Sequence, residues 1–356
     1  MTDISLIMPP APFLIHPRTF PMLGVLFLSA ILKHKGYTVD VIDLVGGEPL
    51  PELNSQIVGI TLTTPVFPLG VHLLKDIKAR YSGVRVITGG AHATAAPQEC
   101  LEAGFDSVVV GEGEKAILRV MEGDKSPIIQ EPYIQDLDTI PFPDRQAIDM
   151  SRYSYETLGV KATSIISSRG CPWSGHCAFC CIIWQNPPRY HSAEYTLREA
   201  SWLRDELGMR GLSFFDDEML CVWKRDEQIF KGLYALGMTY RILTRANLVS
   251  PERATLLANT GCQEVFIGVE SGSDRILMNI NKGTSRAMNL RAVKTLKSVG
   301  IRVKTGFIIG LPGEDKQSLA DTDTFCEEAQ PDDMDFSLLS VMAGSPIYMN
   351  PKAYDL

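Results

Sequence analysis

Over its first third the chain alternates short apolar runs with stretches whose apolar residues return at helical spacing. Residues 5–8, 37–43, 57–62, 84–88 and 105–110 predict strands. Residues 22–33 predict a buried helix stopped near Gly36, and Leu69, Leu73, Ile77 and Tyr81 mark one face of another. Short apolar strands separated by helices imply an α/β fold with a doubly wound parallel sheet, whose ligands sit beyond the carboxyl ends of the strands. The rhythm breaks over 123–160, where Pro127, Pro132, Pro141 and Pro143 fall, and a linker is expected there.

Alternation then resumes, with strands predicted at 163–167, 212–215, 240–243, 264–268, 303–308 and 335–340 and helical patterns at 193–207 and 286–299. Six βα units are too few for a closed eight-stranded barrel, so a partial (β/α)6 barrel is expected. The predicted division is a doubly wound domain over 1–122, the linker over 123–160, the partial barrel over 161–345 and a tail over 346–356. The chemically distinctive residues of the barrel fall at successive strand ends. They are a cysteine loop, Asp216-Asp217-Glu218, Arg245, Glu270-Ser271-Gly272 and Gly310-Leu311-Pro312-Gly313-Glu314. Barrel active sites are built from such carboxyl-end loops, so the set points at one mouth.

Composition changes this picture little. At 45% hydrophobic and 21% charged over 356 residues the chain is an ordinary globular one. Its net charge of −8 gives no reason to expect nucleic-acid binding. The start, MTDISLIMPP, has no signal-peptide pattern, and no apolar run approaches the roughly 20 residues of a membrane span. The cytoplasm is the expected location.

The cysteines matter more. Of eight, four crowd the segment Arg169-Gly-Cys171-Pro-Trp-Ser-Gly-His-Cys177-Ala-Phe-Cys180-Cys181. Crowding of this kind in a large chain indicates metal binding rather than disulfides. Three close thiolates suit three irons of a four-iron cube, leaving one iron open. Cys181 could stand in for Cys180. A structural zinc site with His176 or His191 as fourth ligand is the rival, making the chain a non-enzymatic interaction module.

Here the sequence resembles the radical S-adenosylmethionine enzymes, whose usual loop is C-x-x-x-C-x-x-C with an aromatic before the last cysteine, the place of Phe179. FFDDEML from Phe214, IGVESGSDRIL from Ile267 and GFIIGLPGE from Gly306 resemble later strand ends of the subgroup with an amino-terminal cobalamin-binding, Rossmann-like domain. GGAHATAAPQE from Gly89 and VVVGEGE from Val108 resemble that domain. One departure stands out: five residues rather than three separate Cys171 from Cys177, lengthening the loop around Trp173 to His176.

The resemblance implies a 4Fe-4S cluster on Cys171, Cys177 and Cys180, with S-adenosylmethionine chelated to the open iron and cleaved to a 5′-deoxyadenosyl radical. It implies S-adenosylmethionine contacts from Phe179, Asp216, Asp217, Arg245, Glu270, Ser271, Gly306, Ile308, Gly310 and Pro312. For cobalamin it implies Thr63, Thr64, Gly89, Gly90, His92, Gly111, Glu112 and Gly113. Some cobalamin folds carry D-x-H-x-x-G, whose His binds cobalt. Here Asp43-Leu44-Val45-Gly46-Gly47 has Val45 in that place, so no His ligand from that motif is expected. The activity implied is class B-like methyl transfer to an unactivated carbon, with cyclisation or rearrangement without methyl transfer as alternative. A methylthiotransferase would need more cysteines than Cys100 ahead of the loop. The expected partners are a substrate and an electron donor such as flavodoxin or ferredoxin.

Overall fold

The computed structural model describes residues 2–157, 159–181 and 187–354 and divides the chain into two compact units, Met1–Tyr155 and Glu156–Leu356. The first unit contains β1 (Thr2–Met8), α1 (Leu23–His34), β2 (Val39–Asp43), β3 (Ser55–Thr61), α2 (Phe67–Arg80), β4 (Arg85–Gly89), α3 (Ala91–Ala95), α4 (Pro97–Glu102), β5 (Ser107–Val110), α5 (Gly113–Met121) and β6 (Ile128–Gln130). Its sheet is parallel throughout, in the order β2-β1-β3-β4-β5-β6. Strand order reverses between β1 and β3, which is where ligands of such sheets dock. Ile4, Val58, Val86 and Val108 are fully buried beneath the covering helices. Strands covered on both faces need no polar alternation, which is why they were visible as plain apolar runs.

The expected linker proves to be structured. Ile128–Gln130 pairs with β5 as a sixth strand, too short and too close to prolines to show a period. Beyond it, Asp144 accepts from Ser29 Oγ at 2.6 Å and pairs with Lys33 at 2.7 Å, and the buried Tyr153 hydroxyl donates to Asp43 at 3.0 Å. These bonds strap the stretch to α1 and β2.

The second unit is built on β7 (Tyr155–Thr157), β8 (Val160–Ile165), β9 (Ser168–Arg169), β10 (Arg189–Tyr190), α6 (Ala193–Leu207), β11 (Gly211–Phe214), α7 (Trp223–Ala235), β12 (Thr239–Thr244), α8 (Pro251–Asn259), β13 (Cys262–Glu270), α9 (Asp274–Asn279), α10 (Arg286–Ser298), β14 (Arg302–Ile309), α11 (Lys316–Ala329), β15 (Asp333–Leu338) and α12 (Pro346–Met349). Its main sheet runs β15-β14-β13-β12-β11-β8-β7, and β8 and β11 to β15 are parallel, the open partial barrel expected. Side chains of Ser192, Ser250, Ser285 and Asp315 cap α6, α8, α10 and α11. The last strand begins two residues before the expected 335, because Lys304 ties Asp333 (3.4 Å) and Asp335 (2.9 Å) into a register that an apolar pattern cannot show. No described helix is long and apolar enough to cross a membrane.

Candidate functional site

The cysteine loop leaves the barrel on a stem fixed by carboxylates. β8 ends at Ile165, and the chain then turns toward Asp216 at the end of β11. Asp216 accepts from the backbone N–H of Ser167 (2.8 Å), from Ser167 Oγ (2.6 Å) and from Ser168 Oγ (2.6 Å). Asp217 accepts from the N–H of Gly170 at 2.8 Å. Burial pushes both carboxyls above their usual range, opposed at Asp216 by Arg225 and the serines and at Asp217 by Gly170. Asp216 is 1% exposed and thus a bolt for the stem, whereas Asp217 also reaches the cavity beyond it.

That cavity, of about 180 Å³, is walled by Cys171, Cys177, Cys180 and Cys181, by Gly170 and Phe179 of the same loop, and by Asp217, Glu218, Arg245 and Lys282. The loop is anchored at its middle: the buried Ala178 donates to Ile280 O at 2.8 Å and accepts from Ile347 N at 3.0 Å. Its longer arm folds back, with Trp173 Nε1 donating to Asn281 O at 2.8 Å and Asn281 Nδ2 donating to Gly175 O. His176 adopts φ +50° in this turn.

The neighbouring cysteines both line the cavity and differ in their partners. The Cys181 thiol donates to Ala343 O at 3.0 Å, while burial, with Cys177 and Asp217 nearby, pushes Cys180 up to about 12. Among the described residues, no three His, Cys, Asp or Glu side chains converge as ligands of a single metal ion would. A four-iron cube takes each cysteine on a different iron and needs its ligands spread along a wall. Cys171, Cys177, Cys180 and Cys181 all line the wall of this cavity. His191, offered as a zinc ligand, is buried and stacked on Tyr195 at 3.9 Å, and neither it nor His176 lines the cavity.

One cavity residue, Lys282, escaped the sequence reading, and another, Glu218, carried no assigned role there. Lys282 lies beyond α9, outside any motif. Its ammonium pairs with Glu270 Oε1 at 2.7 Å. Burial works to lower its pKa, but Glu270 and Cys177 outweigh burial and the net change is upward. Glu270 itself is not a wall residue. A register shift in β13 and a left-handed backbone, φ +66°, aim its carboxylate at Lys282. Glu218 accepts from the N–H of Arg245 at 2.7 Å, and burial lifts it to about 7. It had been noted beside the two aspartates without a role.

Arg245 joins these parts. Its Nη1 donates to Cys177 Sγ at 3.8 Å, its Nη2 donates to Lys282 O, and its guanidinium lies 4.9 Å from the centre of the Trp173 ring. Of the other residues expected to meet S-adenosylmethionine, several have structural partners. Ser271 Oγ meets Thr322 Oγ1 at 3.4 Å, Gly310 N donates to Glu314 at 2.5 Å, and the Pro312 carbonyl accepts from Asn279 at 3.1 Å. Gly306 lies beneath the Phe266 ring, and Ile308 packs with Phe179 around Ala178 and Ile280. None of these five lines the cysteine cavity, although all lie at or near the carboxyl ends of β13 and β14.

In the first unit, Thr63, Thr64, Gly89, Gly90, His92, Gly111, Glu112 and Gly113 gather at the carboxyl ends of β3, β4 and β5. Thr63 and Thr64 are exposed beside the reversal point. Gly90 (φ +101°) is obligatory, since a Cβ there would lie 2.8 Å from Leu62 O. His92 is buried with Nδ1 3.2 Å from Thr64 Oγ1 and Nε2 3.4 Å from Glu99, and burial lowers its pKa against the pull of Glu99. Glu112 is turned inward, accepting from Ile134 N at 2.6 Å, so its carboxylate holds the chain rather than facing the open edge. Val45 is buried, and no imidazole stands at the D-x-H-x-x-G position. The small, open residues of this edge fit a flat cofactor that receives no ligand from that motif.

Comparison with known proteins agrees with this geometry. A model of the radical SAM superfamily matches residues 165–326 and a model of the B12 binding domain matches residues 17–121. An uncharacterized methyltransferase of Pyrococcus horikoshii is 29% identical over 97% of this chain and 82% of its own length. The anaerobic magnesium-protoporphyrin IX monomethyl ester cyclase of Cereibacter sphaeroides is 26% identical over 93% of this chain, which spans 60% of the cyclase. Among solved structures, the radical S-adenosylmethionine methyltransferase TsrM from Kitasatospora setae, with cobalamin and a 4Fe-4S cluster bound, superposes with a TM-score of 0.77. That match covers 98% of this chain and 77% of TsrM at 18% identity, a likeness of fold. With both domain models matched in order and both sheets built as they require, the chain carries an amino-terminal B12-binding domain followed by a radical SAM domain.

Proposed function

We propose that this enzyme transfers a methyl group to an unactivated carbon, using the cysteine cavity and the carboxyl edge of the first sheet as its two cofactor sites. The carrying observation is the cavity itself, in which Cys171, Cys177 and Cys180 share a wall with Phe179, Arg245 and Lys282. When bound, the cluster supplies the electron that cleaves S-adenosylmethionine and cobalamin supplies the methyl group. The three cysteines hold the cluster. Lys282 and Arg245 offer cations to the methionine carboxylate, and Asp217 and Glu218 offer oxygens to its ammonium or to ribose hydroxyls. In the first unit, Thr63, Thr64, Gly89, Gly90 and Gly111 receive the edge of cobalamin, with His92 setting the Thr64 hydroxyl. An electron donor such as flavodoxin or ferredoxin serves the cluster.

The methyltransferase named among the relatives, and the methyltransferase fold shared with TsrM, support methylation. The cyclase relative supports the second reading, radical chemistry without methyl transfer. The test is anaerobic purification from cobalamin-supplied cells, with iron, cobalt and zinc measured per chain and both nucleoside products assayed. About four irons and one cobalt, with 5′-deoxyadenosine and S-adenosylhomocysteine formed together, is the expected result. 5′-Deoxyadenosine alone would replace methylation by the second reading. Zinc without iron after cluster reconstitution would overturn both.

A further inference from the structure

The longer cysteine loop does more than reach around an insertion. We infer that its Trp173 is a positioning residue that clamps Arg245 against Cys177 and thereby raises the reduction potential of the cluster. The inference rests on the proposal that Cys177 is a cluster ligand.

The geometry has three parts. Trp173 is held on one edge by its Nε1–H donating to Asn281 O at 2.8 Å. The ring is packed so closely by Gly283 that a Cβ there would lie 2.4 Å from it, and Gly175 crowds it in the same way at 2.8 Å. The Arg245 guanidinium lies over the ring at 4.9 Å. A planar guanidinium stacked on an indole loses the freedom to swing, and its donors stay where the stack leaves them. One of them, Nη1, is aimed at Cys177 Sγ at 3.8 Å.

The charges around this contact decide its effect. Lys282 also bears on Cys177, but Glu270 pairs with it at 2.7 Å, so that pair is close to neutral. Glu218 Oε2 stands 4.0 Å from Arg245 Nε, farther than Glu270 stands from Lys282, and its other oxygen accepts from the Arg245 backbone N–H. Asp217 bonds Gly170 rather than Arg245. The guanidinium is therefore the cation least compensated at the Cys177 sulfur. A cation that donates to a ligand sulfur favours the more negative, reduced cluster, because net charge and hydrogen bonds to sulfur set cluster potentials. The electron comes from an external reductant, one per cluster, and no bond changes in this step.

The usual three-residue spacing described above leaves less chain between the first two cysteines. Here the five-residue spacing supplies the arm on which Trp173 is carried, so the departure from the pattern becomes a device for holding Arg245.

The test is a potentiometric titration of the anaerobically reconstituted enzyme without S-adenosylmethionine, with the reduced cluster followed by electron paramagnetic resonance. Leaving out S-adenosylmethionine removes any contribution from its binding. Arg245→Gln is expected to lower the reduced-to-oxidised ratio at a fixed potential about tenfold, a midpoint about 59 mV lower for one electron. Trp173→Leu is expected to shift the midpoint in the same direction by less, and Trp173→Phe, which keeps a ring beneath the guanidinium, to stay near wild type. If Arg245→Gln fails to assemble a cluster, the two Trp173 variants decide. Trp173→Leu with full iron and an unmoved midpoint overturns the inference, even where it lowers thermal stability. Wild-type protein without iron defeats the cluster assignment instead, a separate outcome.

Discussion

Replacing Asp216 by alanine tests how the cysteine loop is held. In the wild type the carboxylate receives one backbone N–H and two hydroxyls within 2.8 Å, in a place that is 1% exposed. Each hydrogen bond to a charged group contributes about 1.5–3 kcal/mol, but the cost of burying that charge, visible in its raised pKa, offsets part of the sum. In the alanine variant the serine hydroxyls turn to other acceptors. The Ser167 N–H cannot turn, and an orphaned buried donor costs about 1–3 kcal/mol. A net loss of about 3 kcal/mol follows once the vacated volume is included. In a unit of this size that lowers Tm by roughly 6–12 °C. The assay is hydrogen exchange read by mass spectrometry on cluster-free protein, with thermal unfolding beside it. Peptides containing Ser167 to Gly170 are expected to lose about two orders of magnitude of protection, 1.4 kcal/mol being tenfold. Asp216→Asn, which keeps one acceptor oxygen, is expected to fall between. Wild-type protection and an unchanged Tm in the alanine variant would refute the bolt.

The remaining predictions concern the ligands, a proton and a glycine. Serine at Cys171, Cys177 or Cys180 is expected to abolish most iron retention, whereas Cys181→Ser keeps about four irons per chain, since that thiol is engaged with Ala343 O; iron analysis after reconstitution decides. Glu218 titrates near 7 in the fold against an ordinary 4.5, so the unfolded chain releases its proton first as pH rises. Its contribution therefore falls between those values by about 3 kcal/mol and levels above 7. Glu218→Gln should flatten this fall in urea denaturation of cluster-free protein, and parallel curves from pH 5 to pH 8 would count against the assignment. Gly90→Ala forces a Cβ against Leu62 O and a backbone at φ +101°, with an expected cost of about 1–3 kcal/mol and weakened cobalamin uptake, read by absorbance of bound corrinoid.

Much of this was legible in the chain because parallel strands covered on both faces are written as plain apolar runs, such as Ile57-Val58-Gly59-Ile60 within β3. The cysteine loop was legible because its ligands lie close in sequence. β6 and the β9–β10 hairpin were not, since three- and two-residue strands carry no period. Lys282 was invisible for another reason. It reaches the cavity through a pairing with Glu270 twelve residues away that only the bulge in β13 creates. The same pairing moved Glu270 from the wall to a supporting place. Asp216 was found as a strand-end carboxylate, but its bonding to two serines needs the turn after β8 in three dimensions. Trp184, a few positions after the cysteine loop in the sequence, lies outside the described residues.

The double tie at Ala178 has a bearing on how the enzyme is made. One of its partners, Ile347, and the acceptor of the Cys181 thiol, Ala343, belong to a segment synthesised long after the loop. The 162 positions from Cys181 to Ala343 take a ribosome on the order of ten seconds. Throughout that interval the nascent chain displays its thiols on a loop whose final bonds do not yet exist. Iron delivery is thus best timed after the segment from Ala343 to Ile347 has emerged and docked, and a cell producing this protein faster than it can supply clusters would accumulate chains whose exposed thiols are open to oxidation.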